Sequence, residues 1–183
     1  MKIIWSEFRS FRRSFFYAIK GLAYCVSNER NMRIHLVVAF NVLLFAIIFN
    51  LKRLEFVILL LTFGLVIFCE IVNTAIETFV NLTSPAYNSL AKIAKDVAAG
   101  GVLFMAIISI FVGFILFGHF QKLIFTFLFI LKNPFIIFMF LCLNFFGLAF
   151  ICKSFNLKLY KKSVKDKDNV KIYKPRKRNK LNL

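Results

Sequence analysis

The stretch "VIFCEIVNTAIETFVNL", Val66 to Leu82, reads as the end of a membrane-crossing helix with Glu70, Asn73 and Glu77 set into an otherwise apolar run. On a helix, offsets of three and seven residues place all three side chains on one face. At about 1.5 Å per residue, Glu70 lies roughly 10 Å from Glu77 along the axis and deeper in the bilayer. A charged side chain at that depth costs at least about 2.5 kcal/mol on insertion scales, so two carboxylates in one span mark function rather than packing. The outer one suits a cation near the headgroups, and the inner one suits taking a proton from a group whose tail lies in lipid. Asn73 alone would read as an interhelical hydrogen-bonding residue.

The rest of the chain sets these carboxylates in an all-α integral membrane protein. Apolar residues make up 60% of its 183 residues and the mean hydropathy is +0.77, against about 45 to 50% apolar in ordinary soluble chains. That length holds three or four spans of about 20 residues with short loops and leaves no room for a large extramembrane domain. The formal charge of +17 gathers at the two ends: residues 1–33 carry seven Lys/Arg against two Glu, and residues 153–183 twelve against two Asp. By the positive-inside rule both termini are expected to face the cytoplasm. The tail, with "KPRKRNK" near its end, is expected to be disordered and to meet the anionic leaflet rather than nucleic acid. Cys25, Cys69, Cys142 and Cys152 form no CxxC pair and read as small apolar residues in packed helices. Glu7, Arg9, Arg12 and Arg13 break any apolar core of a signal peptide.

Trp5, Phe8, Phe11, Phe15 and Ile19 recur at steps of three and four, which predicts an amphipathic helix over residues 5–20 lying on the bilayer surface. A first span follows from about Ile34 to Asn50, with a turn at Lys52, Arg53 and Glu55. The second starts near Phe56 and ends in the polar ladder. The connector "LTSPAYNSLAKIAK" carries turn residues at Thr83, Ser84 and Pro85 and then a short basic helix from near Ser89. The third span covers about Val97 to Phe117, its "AAGG" at Ala98 to Gly101 offering small residues for close helix approach. "LIFTFLFIL", residues 123–131, is too short to span and reads as an interfacial elbow. Asn133 and Pro134 form an N-cap and first-turn pair that opens a fourth helix over Pro134 to Cys152.

A second acidic position precedes the first span in "NERNMRIH". Glu29 and Arg33 stand at i and i+4, the spacing of a boundary salt bridge, while His35 and His119 lack partners at ligand spacing. Because both acidic segments end at one membrane boundary, Glu29 and Glu77 are placed to share a magnesium ion, which takes one or two carboxylates plus phosphate oxygens and water. Lys95 and Asp96, at the mouth of the third span, offer a charge for phosphates and a further acceptor, or a solvated interface pair. No GxxxxGK[ST] loop and no protein-kinase motif set occurs. The residues alone therefore reach an intramembrane acidic site and stop short of a reaction.

"ERNMRIH" (Glu29 to His35), "EIVNTAIE" (Glu70 to Glu77) and "LAKIAKDVAAG" (Leu90 to Gly100) resemble, in order and spacing, the prokaryotic diacylglycerol kinase family, most of all its undecaprenol kinase branch. The resemblance covers roughly residues 8–118. It implies a surface helix and three spans per subunit, a homotrimer with shared active sites, and transfer of the γ-phosphoryl group of MgATP to the hydroxyl of a lipid alcohol, undecaprenol or diacylglycerol. By the family pattern Glu70 is the general base, while Glu29 and Glu77 bind magnesium and contact ATP. Asn73 supports that cluster, and Tyr17, Ala86, Tyr87, Asn88, Lys95 and Asp96 match nucleotide-contacting positions. The family usually has Asp where this chain has Asn81, and often His where Ala86 and Asn88 stand. Loss of the Asp removes a negative charge beside the metal site, which leaves a weakened homologue acting as a membrane-binding module as the rival expectation. The expected organisation is a kinase domain over 1–118, an extra membrane segment over 119–152 and a basic tail over 153–183.

Overall fold

The computed structural model describes residues 2–84 and 88–152, with side chains of the first helix described at Phe8 and from Phe11 onward. These residues form helices only: α1 (Lys2–Asn28), α2 (Arg30–Ile48), α3 (Arg53–Thr83), α4 (Ser89–Phe117), α5 (Phe120–Lys132) and α6 (Pro134–Cys152). Of these, α2, α3, α4 and α6 are long and apolar enough to cross a membrane. In lipid, a helix satisfies its own backbone polar groups where a loop would not.

The surface helix runs past its expected end, to Asn28. Its last turn is closed by Ser27 Oγ donating to the Ala23 carbonyl at 2.7 Å and Asn28 Nδ2 to that of Tyr24 at 2.8 Å. Arg33 Nη1 reaches back from α2 to the carbonyls of Val26 (3.1 Å) and Ser27 (3.0 Å), oxygens that a helix end leaves without partners. Phe8, Phe11 and Phe15 stay exposed along one side of α1, as a helix lying in an interface requires.

Helices α3 and α4 form the main antiparallel pair, with α2 alongside α3. At the turn between α2 and α3, Asn50 takes φ 55, a left-handed conformation that Asn tolerates better than most residues. Glu55 Oε2 accepts from the Lys52 amide at 2.8 Å and starts α3. Ala46, Leu59 and Leu116 are buried beside this turn, and Phe117 packs on Phe45 and Phe49 at centroid distances of 5.3 and 5.1 Å.

Three further details differ from the expectations. The basic helix after the connector and the third span are one continuous helix, α4, because nothing from Ser89 to Val97 breaks a helix and only apolarity changes there. The small residues at Gly100 and Gly101 make no close approach within the chain: a Cβ built on either meets no atom within 4 Å. Residues 120–132 form a helix, α5, whose 13 residues are too few to span. Lys122 ties α5 to the α2–α3 turn, its Nζ donating to the Asn50 carbonyl at 2.9 Å and lying 4.5 Å from the centre of the Phe49 ring. The basic tail, residues 153–183, lies outside the described residues, as do Pro85, Ala86 and Tyr87.

The fourth span, α6, begins at Pro134 as its cap signal predicts and runs antiparallel to α2. Asn144 Nδ2 donates to Asn41 Oδ1 at 3.2 Å, and a Cβ on Gly147 would stand 2.8 Å from Val37 Cγ1. Close approach thus occurs here rather than at "AAGG". Gly147→Ala is expected to weaken the α2–α6 contact by about 1 to 3 kcal/mol through overpacking, and Val37→Ala in the same chain to restore it. Asn144→Leu should cost about 0.6 kcal/mol, the mean for interhelical hydrogen bonds in lipid. Chemical unfolding in mixed micelles measures all three.

Candidate active site

The polar ladder occupies the end of α3 that faces the α3–α4 connector. Helix continuity survives its polar residues because the threonines bond inward: Thr74 Oγ1 donates to the Glu70 carbonyl at 2.9 Å and Thr78 Oγ1 to that of Thr74 at 2.8 Å. Glu70 is 1% exposed, and both of its carboxylate oxygens are buried without a hydrogen-bond partner in the protein. Asn73, 5% exposed, donates from Nδ2 to Glu77 Oε1 at 3.4 Å, while its own Oδ1 is buried and unpartnered. Buried polar groups are normally paired. Three acceptor atoms left open on one helix face therefore form a site built for something that donates to them.

Glu29 comes to this face from the α1–α2 junction. It stands at the N-cap position of α2 but makes no side-chain cap bond, which leaves its carboxylate available. Burial pushes the Glu29 carboxyl up from its ordinary range, the neighbouring charge of Glu77 pushes it further, and Arg33 opposes both. The expected Glu29–Arg33 salt bridge is absent among the described residues. The guanidinium is spent instead on the α1 carbonyls, which ties the α1–α2 junction together, and Glu29 lies within electrostatic reach of Glu77. Among the described residues no group of three or more His, Cys, Asp or Glu side chains converges as a metal site. Two carboxylates whose charges oppose each other suit a hard cation that takes its remaining ligands from phosphate and water.

Cys25, buried in α1, lies beside Thr74 and within electrostatic reach of Glu29 and Glu70. Burial raises the Cys25 thiol, so it closes the site as a neutral wall. From α4, Lys95 Nζ donates to Asn81 Oδ1 at 2.6 Å, whereas Asp96 is exposed. Asn88 caps α4, its Oδ1 accepting from the amides of Leu90 (2.9 Å) and Ala91 (3.3 Å). Tyr17 sits half-exposed in α1, its ring 6.1 Å from that of Phe16. Ala86 and Tyr87 lie outside the described residues. The roles of Cys25 and Thr74 carry no sequence signal, because each depends on which helix lies opposite.

Long apolar helices around a buried carboxylate define an integral membrane protein. The chain belongs to the prokaryotic diacylglycerol kinase family, whose pattern matches residues 16–117, and is by class a lipid kinase. It is 44% identical to a diacylglycerol kinase of Synechocystis over 101 residues, 55% of this chain and 58% of that protein. It is 37% identical to an undecaprenol kinase of Bacillus subtilis over 112 residues, 61% of this chain and 91% of that protein. The chain thus spans less than two thirds of the first relative and nearly all of the second.

A carboxyl raised by folding binds its proton more tightly in the folded chain. Its contribution to stability is complete below the ordinary glutamate range and is lost as pH rises through the raised value. Glu29→Gln should therefore raise the unfolding temperature at neutral pH, leave it nearly unchanged at acid pH, and flatten the pH profile between. Thermal scans of both proteins in micelles, without divalent cations, check this.

Proposed function

We propose that the protein transfers the γ-phosphoryl group of MgATP to the hydroxyl of a membrane lipid alcohol, with undecaprenol as the acceptor and diacylglycerol as the alternative. The observation that carries this reading is Glu70, a carboxylate sealed from water with neither oxygen satisfied by the protein. An alcohol entering from the lipid side would give that carboxylate a donor. As the alcohol oxygen bonds to the γ-phosphorus, Glu70 accepts the hydroxyl proton, the bond from the γ-phosphorus to the β–γ bridging oxygen breaks, and lipid phosphate and ADP leave. Asn73 supports the cluster by donating from its amide to Glu77.

Glu29 and Glu77 would hold the magnesium ion, which when bound neutralises charge developing on the transferred group. Lys95 supplies a positive charge toward the phosphates, and Tyr17, Ala86, Tyr87, Asn88 and Asp96 complete the nucleotide contacts. Phosphoryl transfer asks mainly for alignment and charge neutralisation. A short rigid site on a helix hairpin is therefore sufficient. Undecaprenol is favoured because the match extends over 91% of the undecaprenol kinase relative. We further assign residues 1–118 to the kinase domain, 119–152 to an added membrane segment and 153–183 to a basic tail that meets anionic lipids. Both termini face the cytoplasm, and the chain works as a homotrimer with shared sites.

Purified protein given radiolabelled ATP and each alcohol in mixed micelles should label undecaprenol. Glu70→Gln should lower turnover by at least about 100-fold, the low end for losing a general base. Labelling of diacylglycerol alone reassigns the acceptor, and undiminished turnover by Glu70→Gln removes it as the base. Magnesium without nucleotide should raise the unfolding temperature of the unaltered chain and do so less in Glu29→Gln or Glu77→Gln.

A further inference from the structure

Asn81 lies one turn beyond Glu77 and eleven residues beyond Glu70, so it continues the acidic face of α3. Across from it, Lys95 leaves the second turn of α4 and donates from Nζ to Asn81 Oδ1 at 2.6 Å. This contact joins the two helices at the mouth of the connector and brings an ammonium group to a face otherwise lined by Glu70 and Glu77. We propose that Asn81 is a positioning residue: its amide oxygen holds Lys95 at the connector end of the helix face that carries Glu70 and Glu77, while leaving the lysine charge uncancelled for a nucleotide polyphosphate. The proposal rests on the nucleotide-binding reading of Lys95.

The chemistry of the pair supports the assignment. A lysine ammonium has three N–H donors on a flexible stem, and one bond to Asn81 fixes its direction while two donors stay available. An acidic partner at position 81 would hold the lysine at least as firmly, but as an ion pair it would neutralise it. It would also add another carboxylate to the face that holds Glu70 and Glu77, with Glu29 nearby. An anionic polyphosphate approaching those carboxylates meets less repulsion when the acceptor is neutral. Asn81 is exposed, so its replacement leaves the packed part of the hairpin unchanged. On this geometry Asn81 retunes the site rather than disabling it.

The test uses the full chain with Asn81→Asp, Asn81→Ala, Lys95→Gln and the double variant Asn81→Ala/Lys95→Gln. MgATP is varied at saturating lipid alcohol. Asn81→Ala and Asn81→Asp should each raise KM for MgATP roughly fivefold, the scale of one exposed charged contact, with the loss falling on KM rather than kcat. In the Lys95→Gln background Asn81→Ala should add nothing. The salt dependence of KM should be shallower for Asn81→Asp than for the unaltered chain, and unfolding temperatures should not move. A lower KM in Asn81→Asp, or an equal effect of Asn81→Ala with and without Lys95, overturns the assignment. Displacement of a fluorescent nucleotide by MgATP, without lipid, repeats the comparison as binding alone. Absence of turnover on any lipid alcohol would defeat the kinase reading while the binding series still decides Asn81, and failure of the unaltered chain to bind MgATP overturns both.

Discussion

The whole arrangement depends on the cost of keeping Glu70 where it is. A carboxylate with both oxygens enclosed and unbonded is destabilising in any protein, and more so in a helix surrounded by lipid. Nothing else in α3 requires it: the threonines of that helix satisfy themselves on carbonyls one turn back. The surrounding structure keeps water and other donors away from it. Cys25 and Thr74 stand near it, and the α1–α2 junction, tied by Arg33, brings Glu29 within electrostatic reach of it. A carboxylate kept dry in this way fits the base proposed for an alcohol that arrives through the membrane, while the more open end of the same helix face, at Glu77 and Asn81, suits a ligand that arrives from water.

Separation along one helix is what reconciles the two solvents. Seven residues of α3 put the two glutamates about 10 Å apart, the outer one half-buried and the inner one sealed. Asn73, midway, bonds the outer carboxylate and keeps its own oxygen buried and unpartnered. Helix α4 meets the outer level of this face through Lys95. Its unbroken run from Ser89 makes the position of that lysine a property of the helix pair rather than of the loop.

The parts legible in the sequence were those written in periodicity and local chemistry. The three-and-seven spacing of Glu70, Asn73 and Glu77 needs only a helix to bring them together, and Asn133–Pro134 signals a helix start whatever packs on it. Apolarity, by contrast, marks bilayer depth and not helix length. For that reason α1 and α4 run beyond the ends their hydrophobic patterns imply: Cys25 sits past residue 20, and Lys95 precedes Val97 within one helix. Side-chain partners across helices were the least legible. Arg33 stands at the right spacing for Glu29 yet bonds the carbonyls of Val26 and Ser27, since a helix end with orphan acceptors competes for the guanidinium. Likewise "AAGG" has the composition of a close contact, but the chain makes its close approach at Gly147, where an asparagine pair sets the register.

The extension beyond the family match is compatible with that site for a geometric reason. On α2, Val37 and Asn41 take the contact with α6, while Ala39 and Ala46 are buried in the packed interior. At about 100° per residue, the two pairs lie roughly on opposite sides of the helix. Helix α6 therefore adds to the back of α2 and leaves the face toward α3 untouched. Lys122 fastens α5 at the far end of the hairpin, at Asn50, many turns from Glu29. An added span on the back of α2 covers surface that α2 would otherwise show to lipid, on the side away from α3, while Glu29, Glu70 and Glu77 all fall within the residues that match the family pattern.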